Sequence, residues 1–255
     1  MSTAQGSSAI CVGDAGSVRE RHSAWDVCEL VIGYSLILAV IWTARPLQRW
    51  LYWSAIAWFA ISLVTTFPGW RAMGCSIAQF WRAWWVVGVA LLLAAAGAAL
   101  ASSLHTLHHP AGVLDWFKAF GGYAVWATLQ QFLLQGYFLL RLQRLMPSAT
   151  FAAITAALVF AVAHLPNPIL APVTLLWGLA ACFVFLKFRN IWPLAIAHAI
   201  FGICIAVTIP GPVVHNMRVG LGYLTYRAPR HLHLNSKDQR VSTVAWVRAD
   251  APTRR

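Results

Sequence analysis

Five polar side chains lie at helical spacings inside long apolar stretches. Gln130, Gln131 and Gln135 fall in WFKAFGGYAVWATLQQFLLQGYFLL, His164 ends FAVAH before LPNP, and His198 sits in IWPLAIAHAIFGI. In hydrocarbon each such group must find a partner or line a cavity. Gln131 and Gln135 are one turn apart and share a helix face, whereas Gln130 lies about 100° around from Gln131. Phe160 and His164 form a second one-turn pair, and His198 and Gly202 a third. An imidazole can take up a proton near neutral pH, while an amide can only give or accept hydrogen bonds. Antiparallel helices joined by short turns would bring these groups to one pocket. The same residues would equally serve as hydrogen-bonding glue between helices.

The elements that must position them follow from composition. Of 255 residues, 60% are hydrophobic and only 10% are charged, against roughly a quarter charged in an ordinary soluble domain. Mean hydropathy is +0.65. This much apolar surface excludes a water-soluble globule, and the blocks of apolar residues exclude the alternation of a membrane β-barrel. Five scattered cysteines, none in C-x-x-C spacing, exclude a disulfide scaffold. The net charge of +12 sits between apolar blocks, where it fits anionic lipid headgroups rather than nucleic acid. The sequence therefore predicts an all-α, polytopic transmembrane bundle in contact with the lipid bilayer. In a bacterium that bilayer is the cell (inner) membrane.

Residues 1–27 read as a disordered leader with no removable signal peptide, 28–112 as N-terminal transmembrane helices, 113–210 as a helical core and 211–255 as a basic tail. Apolar runs predict spans over 28–44, 50–67, 84–101, 116–140, 150–165, 169–186 and 191–209, with 70–83 an interfacial piece. Seven spans result, and an eighth if 70–83 or 211–224 enters the bilayer. Arg141, Arg144, Lys187 and Arg189 fall on one side in this count, which marks that side as cytoplasmic; the basic tail then falls on the other.

Over about 95 residues, 115–210, the chain resembles the CAAX protease and bacteriocin-processing enzyme (CPBP) family of intramembrane endopeptidases. That family carries Glu-Glu-x-x-x-Arg on one helix, Phe-x-x-x-His on the next, and His-x-x-x-Asn or Asp two helices later. The matching segments are Gln130-Gln131-Phe132-Leu133-Leu134-Gln135, Phe160 to His164, and His198 to Gly202, with Gly136-Tyr137 and Trp192-Pro193 flanking them as in the family. The resemblance implies a CAAX-protease-like core. Its family-equivalent catalytic positions are Gln130, Gln131, His164 and His198, and its binding positions are Gln135, Phe160 and Gly202. A peptide or lipidated peptide is the implied partner.

Four positions depart from the family pattern: both Glu are Gln, the Arg is Gln135, and the final Asn is Gly202. An amide cannot replace a carboxylate as general base. No acid lies between residues 116 and 237, and Asp115 is about 20 Å along the helix from Gln130. The resemblance with these departures implies a peptidase whose activity is lost or altered. Replacing the charged set together removes buried charge without stranding a partner. The alternative is an active enzyme with His164 as general base. A further alternative is a membrane electron carrier with His164 and His198 on a haem. A divalent metal such as zinc would have His164 and His198, with His215 folding back, as its weak ligand set. His105, His108 and His109 are expected to face solvent.

Overall fold

The computed structural model describes residues 12–110 and 112–227, and among them the chain is helical with no strand. In hydrocarbon a helix satisfies its own backbone, so each apolar run winds up, and the breaks fall where a residue stops winding or caps an end. Helices α1 (Val12–Trp42) and α2 (Leu47–Thr65) form a hairpin that turns at Arg45-Pro46. A 3-10 piece, Ile77–Ala83, leads into α3 (Trp85–Ser103). Helix α4 (Val113–Gln131) continues directly into a π-helical stretch, Phe132–Leu139, and then α5 (Leu140–Leu145). The core is completed by α6 (Ala149–Val162), α7 (Leu170–Phe188) and α8 (Trp192–Thr208). Short pieces follow: α9 (Gly211–Val214), a 3-10 turn His215–Met217, and α10 (Gly220–Leu224).

Side chains fix the turns between the core helices. Ser148 accepts the Phe151 N–H at 3.3 Å and starts α6. Asn167 Oδ1 accepts the N–H groups of Ile169 and Leu170 at 3.1 and 3.0 Å, while its Nδ2 donates to the Val214 and Arg218 carbonyls at 2.9 and 3.1 Å. One buried amide thus caps α7 and holds the 214–218 segment against it. Helix α7 stops at Arg189, whose φ of 49° is left-handed, and Asn190 accepts the Trp192 N–H at 3.0 Å to begin α8. Helix α6 presents Ala152, Ala153, Ala156 and Ala157 as a fully buried face against α7, the small-residue packing that lets membrane helices approach closely. Helix α8 is covered by α3 and α4.

The outer surface is apolar. Val64 is 81% exposed and Trp81 76%, and Trp25, Trp50, Trp53, Trp70 and Trp85 also face outward. Such a surface is matched to lipid, with tryptophans suited to the headgroup region. The protein is an integral membrane protein. Among the described residues, three helices are long and apolar enough to cross a bilayer alone: Ser23–Trp42, Phe80–Ser103 and Leu170–Phe188. The apolar helices Ala149–Val162 and Trp192–Thr208 are shorter. At 1.5 Å per residue, 14 residues reach only about 21 Å, less than a hydrocarbon core of about 30 Å.

Three expectations are corrected. Helix α1 begins at Val12, inside the expected leader, and Asp26 and Glu29 on it are buried; residues 1–11 and the basic tail beyond 227 lie outside the described residues. The span expected over 116–140 is not one regular α-helix, because it changes to π winding at Phe132. Positions 134–139 are all buried, so no apolar period existed there to reveal the change. Finally, Arg141 is not a water-facing orientation charge.

Arg141 is 2% exposed, and its Nε donates to Glu29 Oε2 at 2.8 Å. The guanidinium also donates to Ser62 Oγ at 3.0 Å and Thr66 Oγ1 at 2.8 Å, and its centre lies 3.6 Å from the Tyr137 ring centroid. Ser62 donates to Glu29 in turn. One turn on, Arg144 pairs with Asp26 at 2.8 Å, with the Arg144 side chain half in solvent. Together with Tyr34, which donates to the Val159 carbonyl at 2.9 Å, these contacts bind α1 to the core and make it a wall of the cavity described next.

Candidate functional site

A cavity of about 440 Å³ lies among α1, α4, α6, α7 and α8, with Asn216, Met217 and Val219 at one end. Its wall is aromatic and aliphatic, interrupted by Tyr123, Gln130, His164, His198 and a few other uncharged polar groups. Among the described residues that line it there is no Asp, Glu, Lys or Arg. Phe160 stands between the two histidines, its ring 4.7 Å from His164 and 6.0 Å from His198 by centroids.

The three glutamines divide. Gln130 lines the cavity. Gln131 and Gln135 are both 0% exposed and form a layer behind the wall. Gln135 Nε2 donates to Gln131 Oε1 at 2.8 Å, and Gln131 Nε2 lies 2.8 Å from His198 Nδ1. Gln135 contacts Gln131 rather than either imidazole, and its own Oε1 is buried with no hydrogen-bond partner among the described residues. The one-turn separation that places 131 above 135 survives the π winding.

These bonds assign the ring protons. An amide NH₂ can only donate, so His198 Nδ1 accepts and its Nε2 carries the hydrogen. His164 Nδ1 lies 2.7 Å from the Phe160 carbonyl, which can only accept, so Nδ1 holds the hydrogen and Nε2 is bare. The two cavity imidazoles are therefore unlike: His198 offers a donor and His164 an acceptor.

Gly202 lies a turn beyond His198, and the space its side chain would fill is taken by Tyr123. A Cβ on Gly202 would overlap the Tyr123 hydroxyl and ring. Tyr123 was not singled out by sequence, although its spacing could have marked it, since residues 123, 126, 127 and 130 share one helix face. Trp126 and Trp177 were likewise missed as wall residues.

Other candidates lie elsewhere. His215 is stacked on Tyr223 and Tyr226, at 4.0 and 4.9 Å between ring centroids, with Nδ1 3.1 Å from the Tyr223 carbonyl. It does not join His164 and His198, and no group of three or more His, Cys, Asp or Glu converges among the described residues. With each Nδ1 committed and only two Nε2 atoms free, the cavity histidines do not fit the three-ligand set of a hydrolytic zinc site. Asp115 is exposed at the start of α4, outside the cavity. His105 and His109 are exposed, and His108 is half-buried, with its ring on the Thr106 carbonyl at 2.9 Å.

Residues 112–204 match the family described as Type II CAAX prenyl endopeptidase Rce1-like. The match covers the helices that carry Gln130 through Gly202 and lies almost wholly within the 115–210 stretch where the motifs pointed to that family. No curated protein and no solved structure matches the chain. Residues 112–204 of this integral membrane protein are thus similar to that CAAX-endopeptidase family.

Proposed function

We propose that this protein binds a peptide or lipidated peptide in the cavity and does not hydrolyse it by the carboxylate-driven route. The observation that carries this is the Gln135–Gln131–His198 chain. The positions that hold acid and base in the resembled family are here an uncharged hydrogen-bonded row, and no carboxylate lines the cavity among the described residues. Glu29 is committed to Arg141 on the other side of Tyr137. A water in the cavity therefore meets no carboxylate to take its proton, while the apolar wall remains suited to a greasy guest.

The test is Gln130→Glu with Gln131→Glu, assayed beside the unmodified protein on lipidated and transmembrane peptides in nanodiscs. Intact guest with the unmodified protein, and cleavage products from the double variant, are the expected results. Products from the unmodified protein would overturn the reading.

A second reading is favoured by the bare Nε2 of His164: hydrolysis with that imidazole as general base. Water would give its proton to Nε2 as its oxygen adds to the carbonyl carbon. His198 Nε2–H would meet the developing oxyanion, and the proton would pass on to the departing amine. Cleavage that disappears in His164→Ala would establish it.

A further inference from the structure

We propose that Tyr123 is the hydrogen-bond donor that fixes the uncharged carbonyl of a guest inside the cavity, beside His198. This deepens the guest-binding reading and rests on it.

The phenol reaches from α4 to α8 and lies on the Gly202 backbone, where any Cβ would strike its oxygen and ring. Glycine is a poor residue for a helix interior, and here its missing side chain is the room the phenol occupies. The Tyr123 hydroxyl makes no hydrogen bond among the described residues, and the Tyr123 ring meets the His198 ring edge-on at 6.5 Å and 83°. Tyrosine hydroxyls shut away from water nearly always find an acceptor. This one is half-buried and opens onto the cavity, where water or the group that enters supplies its acceptor.

The neighbours define that acceptor. His198 Nε2–H is a second donor, because Gln131 occupies Nδ1. Among the described residues the wall holds no Asp, Glu, Lys or Arg, so a carboxylate or phosphate would meet no fixed counter-charge from them. A carbonyl oxygen carries two lone pairs and no charge, which suits two neutral donors. The aromatic and aliphatic remainder of the wall takes the apolar chain attached to it. A peptide bond and a fatty amide share this chemistry.

The test titrates the purified full-length protein in micelles with oleamide, with a capped apolar hexapeptide amide, and with 1-octadecene, which has the chain and no carbonyl. Affinity is read by calorimetry, and the stretch of a ¹³C-labelled carbonyl by infrared difference. Whichever carbonyl probe binds identifies the source of the group. Tyr123→Phe is expected to weaken that probe about three- to tenfold, as loss of one neutral hydrogen bond does. It should leave octadecene unchanged and raise the bound carbonyl frequency. Gly202→Ala displaces the phenol without deleting it and should reproduce the loss, which keeps the test open if Tyr123→Phe folds poorly. An equal loss for octadecene, or an unshifted carbonyl, overturns the role of Tyr123 and leaves guest binding standing. If no probe binds the unmodified protein, both fall.

Discussion

Breaking the Glu29–Arg141 pair should destabilise the fold far more than its neighbour does. Arg141 Nε sits 2.8 Å from Glu29 Oε2, with 2% and 0% of the two side chains exposed. Removing one member strands the other charge where water cannot reach it, a loss of about 3–5 kcal/mol. Glu29→Gln and Arg141→Met should each fall in that range. The double variant removes both charges and leaves Ser62 with Tyr137 at 2.9 Å, and Thr66 with the Ser62 carbonyl at 2.7 Å. It should therefore cost no more than the worse single variant, a coupling of about 3 kcal/mol or more. Arg144, half in solvent on Asp26, is the control, and Arg144→Ala should cost about 1 kcal/mol or less. The assay is reversible denaturation in mixed micelles followed by tryptophan fluorescence. Single losses under about 1 kcal/mol, or additivity within about 0.5 kcal/mol, would refute the reasoning.

Two further perturbations probe the end of the cavity. Asn167→Ala removes the cap of α7 and both bonds to the 214–218 segment; hydrogen exchange around Val214 to Arg218 should accelerate while α6 and α8 stay protected. Gly220→Ala meets the Ile41 carbonyl and carries a φ of 54°, so it should lower stability by about 1–3 kcal/mol in the same denaturation assay, because backbone cannot move aside.

Much of the fold was legible because apolar runs and their Pro, Gly and Asn breaks mark helices one by one. The approach of Gln131 to Gln135, and of Phe160 to His164, could be read from one-turn spacing alone. What escaped depended on contacts between distant segments. Sequence alone places Asp26 in a leader and Glu29 at the start of the first span, with Arg141 and Arg144 as charges on one side of the membrane. Both pairs are spaced three apart, so they meet one above the other when α1 packs on α5. That matched spacing was visible in the sequence and is the signal that could have paired them. Tyr123 escaped because an aromatic in an apolar helix looks like packing; only the emptiness at Gly202, a helix away, distinguishes it. The π winding at 132–139 leaves no trace in sequence because positions 134–139 are all buried.

Photocrosslinking tests the central claim most directly, using a lipidated peptide with a diazirine at the end of its apolar chain, bound to the unmodified protein in nanodiscs and analysed by mass spectrometry. Adducts are expected on cavity residues such as Phe120, Trp126 or Phe201, each carrying the guest at its full mass. Adducts confined to the outward tryptophans, or guest recovered as cleaved fragments, would contradict it.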